Sequence, residues 1–283
     1  FVGTQRDSRS DVREWVRKTA DESFPASYEE ARRQHLNVYR EYFSAMDVCI
    51  EGDTEADGWL RFANYHTAIS APRLDSIHGI SAKGLTGERY NQFVWWDCEI
   101  YQLPFFLFTA PETAKNTLLY RYHCLEQSRR NAVLAGCKGA KFAFCSSVTG
   151  EERVWSYVRH PFLQEHINSD VAYGIINYYD VTFDREFMRN YGMEMLCEII
   201  RYWMNRVTEQ NDRYEILRVT GTDEHHPYVD NDAYTNYCVR YVFMRFLDLS
   251  KEFRTDLTEE EARKAEDIAV RLYLPQDESG LIP

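Results

Sequence analysis

The chain has 283 residues, 44% of them hydrophobic, enough to fill one large core or two small ones. Its 45 Asp and Glu against 33 Lys and Arg give a formal net charge of -12. That balance argues against a nucleic-acid backbone or an anionic membrane surface as the main partner and leaves neutral or cationic small ligands open. Seven cysteines without C-x-x-C spacing, and an opening FVGTQRDSRSD with neither a basic start nor an apolar signal core, point to reduced thiols in a cytoplasm.

Helical periodicity begins at about 8–22 and continues over 28–50, where Val38, Tyr39, Tyr42, Phe43, Met46 and Ile50 recur at helical spacing before the Glu51-Gly52-Asp53 turn. A third helix, about 54–70, runs to Pro72. The stretch 73–93, with Gly79, Gly84 and Gly87, reads as a loop long enough to suggest function, and it leads into VWWDCEIYQLPFF, an aromatic helix with Pro104 inside it. Asp97 and Glu99 interrupt this apolar run, so it is no membrane span. An amphipathic helix over 112–136 ends at Gly136, and KGAKFAFCSSVTGEE follows as a second loop. Helices resume near 161–182, 184–209, 230–250 and 258–273. YEILRVT (214–220) reads as the one strand, part of a short hairpin. The absence of βαβ alternation predicts an all-α chain of paired helices, packed as a toroid or bundle, with 1–27 as a lead-in linker helix and 28–283 as one helical domain.

Two constellations could carry chemistry. In VTGTDEHHPYVDNDAY (219–234), Gly221 permits a sharp turn and Asp230 is placed to cap the next helix, while Asp223 and Glu224 sit on the loop itself. Clustered carboxylates raise the pKa of one of them, which is how a general acid is made at neutral pH; solvated loop acids are the plain alternative. His225 and His226 are competent ligands but lack an H-x-x-x-H or H-E-x-x-H spacing, so no metal is predicted. The second constellation is Trp95-Trp96-Asp97-Cys98-Glu99. Acids at a helix start are stabilised by its dipole, yet a tryptophan beside a carboxylate also makes a sugar site, the ring stacking while the acid accepts hydroxyl hydrogen bonds. No nucleophile elbow, Walker A or dinucleotide fingerprint is present.

Taken together, AKGLTGERY (82–90), WWDCEIYQLPFFLF (95–108), KGAKF (138–142), HINSDVAY (166–173) and GTDEHHPYVDNDAYTNY (221–237) resemble the family-65 glycoside hydrolases and phosphorylases, in order and spacing from about Glu29 to the LYLPQDE of 272–278. The resemblance implies an (α/α)6 toroid, incomplete at its carboxy-terminal end, with Glu224 as general acid and Trp96 and Asp97 as the glucose-binding pair. It also implies substrate-binding roles for Phe144 and Cys145, on a segment similar to an acceptor-side wall, and for Ser169 in the HINSDVAY stretch. The implied reaction is phosphorolysis of an α-glucoside with inversion, giving β-glucose 1-phosphate. Inorganic phosphate is then a co-substrate, no cofactor or metal is needed, and a homodimer is the oligomer left open. An inverting α-glucoside hydrolase, or a non-catalytic sugar-binding segment, are the alternatives. Gln92 and Phe93 stand where the family has glycine-histidine, Thr222 stands in place of a proline, and Ala143 to Val148 replace P-W-E-S-A-D. The last change implies an acceptor smaller or less hydroxylated than glucose.

Overall fold

A computed structural model describes residues 12–23, 27–85, 89–154, 160–280 and 282. The expected helix start at 8–11 and Gly87 of the long loop lie outside them. The described residues are mostly helical with one two-stranded sheet, and the chain forms two compact units, Phe1–Asn64 and Tyr65–Pro283. The division expected at residue 27 falls within the first of these units.

In the first unit, α1 spans Val12–Ser23, α2 Tyr28–Ser44, and α3 begins at Thr54 and runs to Ser70. Ser27 caps α2 by accepting from the Glu30 amide at 3.2 Å. The predicted helix over 28–50 stops at residue 44 because the next residues have other partners. The Met46 carbonyl accepts from Asn64 and the Ile50 amide donates to Asp57, while Asp53 accepts the amides of Glu55 and Ala56 and so starts α3.

The second unit contains α4 (Leu103–Thr109), α5 (Pro111–His123), α6 (Leu125–Leu134), α7 (Ile167–Thr182), the single turn α8 (Arg185–Phe187), α9 (Met193–Arg206), the hairpin strands β1 (Thr208–Gln210) and β2 (Arg213–Glu215), α10 (Ala233–Ser250) and α11 (Glu259–Arg271). The helix expected over 112–136 breaks at Cys124, whose amide bonds to both Tyr120 and Arg121 carbonyls. The strand expected over 214–220 is shorter and begins earlier. Asn211 and Asp212 both take positive φ, which closes a two-residue turn matched to strand twist, and Arg218 at φ 54 ends the extended run.

Helix α7 is the axis of this unit, packing against α4, α5, α9 and α10. Val171, Ala172, Ile175 and Ile176 are wholly buried, as are Leu196, Ile199 and Trp203 of α9 and Val239, Val242 and Phe243 of α10. Each such Val, Leu, Ile or Phe side chain contributes about 1.5–3 kcal/mol. The first turn of α7 differs: Asn168, Ser169 and Asp170 are as buried as the apolar residues after them. Asn168 ties the preceding loop down, accepting from the Phe142 amide and donating to the Ala140 carbonyl, both at 2.8 Å. Gly139 allows that loop to touch α9, since a Cβ there would stand 2.2 Å from the Glu198 carbonyl oxygen.

Candidate active site

The Trp95-Trp96 pair is aimed by a short β-bridge. Val94 and Ser146 exchange backbone hydrogen bonds of 3.0 and 2.9 Å, so this segment runs antiparallel to the second loop. Alternation then sends neighbouring side chains apart. Trp95 is buried edge-on against Phe144 at 4.8 Å, whereas Trp96 and Asp97 remain half-buried.

Asp97 precedes a five-residue π turn, Cys98–Gln102, in which the Leu103 amide reaches back to the Cys98 carbonyl. The π turn delivers Pro104, which has no amide hydrogen, to the start of α4 rather than its interior. The Asp97 carboxylate makes no cap hydrogen bond, so helix capping does not account for it. Glu99 has a different explanation from the helix dipole: it forms a fully buried pair with Arg121, with contacts of 2.7 and 2.8 Å, and Arg121 also donates to the Trp95 carbonyl. The backbone carrying Trp96 and Asp97 is thus fixed from beneath.

Trp96 meets the first turn of α7 and the start of α10. Its indole lies 5.1 Å from the His166 ring at 86° and 6.2 Å from the Tyr234 ring. His166 Nδ1 pairs with Asp170 Oδ2 at 2.7 Å, and the Tyr234 hydroxyl donates to Asp170 Oδ1 at 2.8 Å. Burial, with the Asp170 charge beside it, pushes the Tyr234 hydroxyl far above the usual phenol range, so it stays a donor. His166 Nε2, Ser169 Oγ, Gln164 Oε1 and Thr220 Oγ1 are buried without a hydrogen-bond partner among the described residues.

The loop that holds Glu224 is rooted beside this cluster. Val219 and Val229 exchange two hydrogen bonds of 2.9 Å, closing the loop at its base. Gln164 donates to the Gly221 carbonyl at 3.1 Å, and the Thr220 amide donates to Leu163. The segment 163–166 therefore touches the root of the loop at one end and Trp96 at the other. A Cβ at Gly221 would fall 2.2 Å from Asp232 Oδ2, so the glycine leaves room for that carboxylate.

The crowd of carboxylates on this loop divides into separate structural tasks. Asp232, not Asp230, caps α10, accepting from the Thr235 amide and hydroxyl. Asp230 accepts from the Arg218 amide across the loop base. Asp223 accepts from the His225 amide and pairs with His226, and these bonds hold its carboxyl below the usual range, the reverse of the shift that mutual crowding would give. Glu224 stands on the exposed face of the loop.

Of the other expected residues, Ser169 is buried, its hydroxyl without a hydrogen-bond partner among the described residues. Phe144 and Cys145 are buried too, their amides donating to Glu152, and burial pushes the Cys145 thiol up to about 12. Only Val148 of the 143–148 segment has a large exposed apolar side chain; with Ser146 it lines a cavity of about 330 Å³ together with residues of the 69–94 stretch. Sequence reasoning missed His166, Asp170 and Tyr234 as a unit. The i, i+4 spacing of His166 and Asp170 at a helix start was a local signal, but Tyr234 arrives from 64 residues away.

Residues 61–283 match the family described as the glycosyl hydrolase family 65 central catalytic domain. A 3-O-alpha-D-glucosyl-L-rhamnose phosphorylase of Lachnoclostridium phytofermentans is 53% identical over 91% of this chain and 35% of its own. A kojibiose phosphorylase of Thermoanaerobacter brockii is 38% identical over 87% of this chain and 35% of its own. A solved structure from the human microbiome, provisionally named a kojibiose phosphorylase, superposes with a TM-score of 0.88 at 26% identity, covering 94% of this chain and 41% of its own. The chain thus spans little more than a third of the length of these relatives. Across the matched residues it belongs to glycosyl hydrolase family 65, in that family's central catalytic domain.

Proposed function

We propose that the protein containing this chain phosphorolyses an α-glucoside with inversion, releasing β-glucose 1-phosphate and an acceptor sugar, within an (α/α)6 toroid of which these helices form part. The observation that carries this reading is the continuous link from Gly221 through Gln164 and His166 to Trp96. It roots the loop of the proposed acid, Glu224, beside the proposed glucose platform of Trp96 and Asp97. Asp97 has a carboxylate not used for capping, available to accept sugar hydroxyls. Ser169, with its unpartnered hydroxyl behind this site, belongs to the same proposed pocket.

Inversion needs a proton on the departing oxygen and a nucleophile on the opposite face of the ring. Glu224 would donate the proton, its exposed position leaving it accessible to a glucoside arriving from solvent. Inorganic phosphate would attack the anomeric carbon directly, so no second protein carboxylate is required. The names of the two relatives above, phosphorylases both, favour phosphate over water as the nucleophile.

Phe144 and Cys145 would stiffen the acceptor wall from within rather than touch the acceptor, with Val148 as the apolar group it presents. An apolar wall suits a deoxy sugar such as rhamnose, the acceptor in the name of the 53% identical relative. All seven cysteines are free, in keeping with a cytoplasmic site of action.

The test is Glu224→Gln in the full-length protein, assayed on 3-O-α-glucosyl-rhamnose and kojibiose with and without phosphate. The expected result is phosphate-dependent release of β-glucose 1-phosphate by the parent and a loss of about 10²–10⁴-fold in the variant, with glucoside binding retained. Release of free glucose without phosphate by the parent would make the protein a hydrolase. Full turnover by the variant would remove Glu224 from the role of acid.

A further inference from the structure

His166 is held in a way that packing alone does not call for. It is fully buried at the entry to α7, yet among the described residues its Nε2 atom has no hydrogen-bond partner, where an apolar ring of similar size would need none. Three neighbours fix it. Nδ1 is bonded to Asp170 Oδ2 at 2.7 Å, the ring lies nearly perpendicular to Trp96 at 5.1 Å, and it lies at 90° to Tyr234 at 5.3 Å. Asp170 is fixed in turn by the Tyr234 hydroxyl. Trp96, His166, Asp170 and Tyr234 therefore form a closed circuit of contacts, since Tyr234 also borders Trp96 at 6.2 Å.

A ring tethered through one nitrogen cannot spin, and a neighbouring ring packed edge-to-face against it loses its own freedom to turn. Among the described residues the other aromatic neighbour of Trp96 is Tyr101, which is 66% exposed and restrains it little. The charge on Asp170 has two donors within 2.8 Å, so the tether is a charge-assisted one.

We propose that His166 is a positioning residue for the reaction: tethered by Asp170 and Tyr234, it sets the plane of the Trp96 indole on which the glucosyl ring stacks, and through Gln164 it joins that platform to the root of the Glu224 loop. This rests on Trp96 being the sugar platform proposed above. A positioning role acts on the glucoside and leaves the phosphate untouched, whereas a merely structural role lowers the amount of folded protein and moves neither Michaelis constant.

The experiment is steady-state kinetics of the full-length protein and its His166→Asn variant on 3-O-α-glucosyl-rhamnose and kojibiose with inorganic phosphate, each substrate varied in turn. Asparagine can still donate to Asp170 but removes the ring beside Trp96. The expected result is a rise of about tenfold in KM for the glucoside, an unchanged KM for phosphate and a displaced tryptophan band in near-ultraviolet circular dichroism, with Trp96→Phe run alongside to assign that band. A glucoside KM within about twofold of the parent, at normal folded content, overturns the proposal. Should His166→Asn fail to fold, Tyr234→Phe keeps every ring and removes only the hydroxyl. It is expected to raise the glucoside KM about threefold with phosphate unaffected, and no change in KM overturns the proposal equally. A parent protein inert on both glucosides with phosphate defeats the phosphorylase reading and this proposal together. A parent that turns over, with variants that match it, defeats the positioning role alone.

Discussion

Replacing Glu99 with methionine would strand a charge in the core. Glu99 and Arg121 have side chains with 0% exposure, so neither solvent screening nor water can compensate Arg121 once its partner is gone. Two short contacts, 2.7 and 2.8 Å, are lost, and of the Arg121 hydrogen bonds among the described residues the 3.3 Å one to the Trp95 carbonyl remains. Breaking a buried pair from one side costs about 3–5 kcal/mol. For a chain of this size that corresponds to a melting temperature lower by about 6–20 °C. The measurement is thermal unfolding followed by circular dichroism for Glu99→Met, Arg121→Met and the double variant. The double variant should recover most of the loss, because removing both charges removes the desolvation penalty along with the attraction. A Glu99→Met protein melting within about 2 °C of the parent, or a double variant as unstable as the sum of the singles, would refute the ion-pair reasoning.

Gly221→Ala should destabilise by about 1–3 kcal/mol, measured by urea denaturation, because the new methyl would displace the carboxylate that caps α10. Asp184 accepts from Lys115, Tyr178 and the Phe187 amide, and although partial burial by itself raises its pKa, these bonds hold it below the ordinary 3.8. Its contribution to stability is therefore present above pH 3.8 and lost as pH falls below it, and Asp184→Asn should flatten that part of the acid limb of a stability-versus-pH curve. Burial pushes the thiols of Cys145 and Cys197 up to about 12, whereas Cys49 is exposed. In a native Ellman titration at pH 8, Cys49 should react at once, and Cys145 and Cys197 only after unfolding.

The family was legible because its motifs are local: the WWDCE run, the HINSDVAY stretch and the loop around Glu224 each keep their residues within a few positions of one another. The helices were legible for the same reason, since apolar residues at helical spacing over α7, α9 and α10 mark a buried stripe wherever the chain is cut. Breaks were less legible. Cys124 gives no local warning of the interruption between α5 and α6, and the Asn211-Asp212 turn is a weaker signal than the hydrophobic YEILRVT that follows it.

The sequence by itself determined which residues could do chemistry, because residue type sets acidity, donor capacity and stacking surface before any folding occurs. Tertiary structure decided what each one does. It assigned Asp223, Asp230 and Asp232 to three separate hydrogen-bonding tasks, buried Glu99 against Arg121, and left the Asp97 carboxylate out of helix capping. It also brought Tyr234 to Asp170 and His166 to Trp96. Those pairings span 64 residues in one case and 70 positions in the other, and contacts between distant residues follow from how whole helices pack, which no local pattern records.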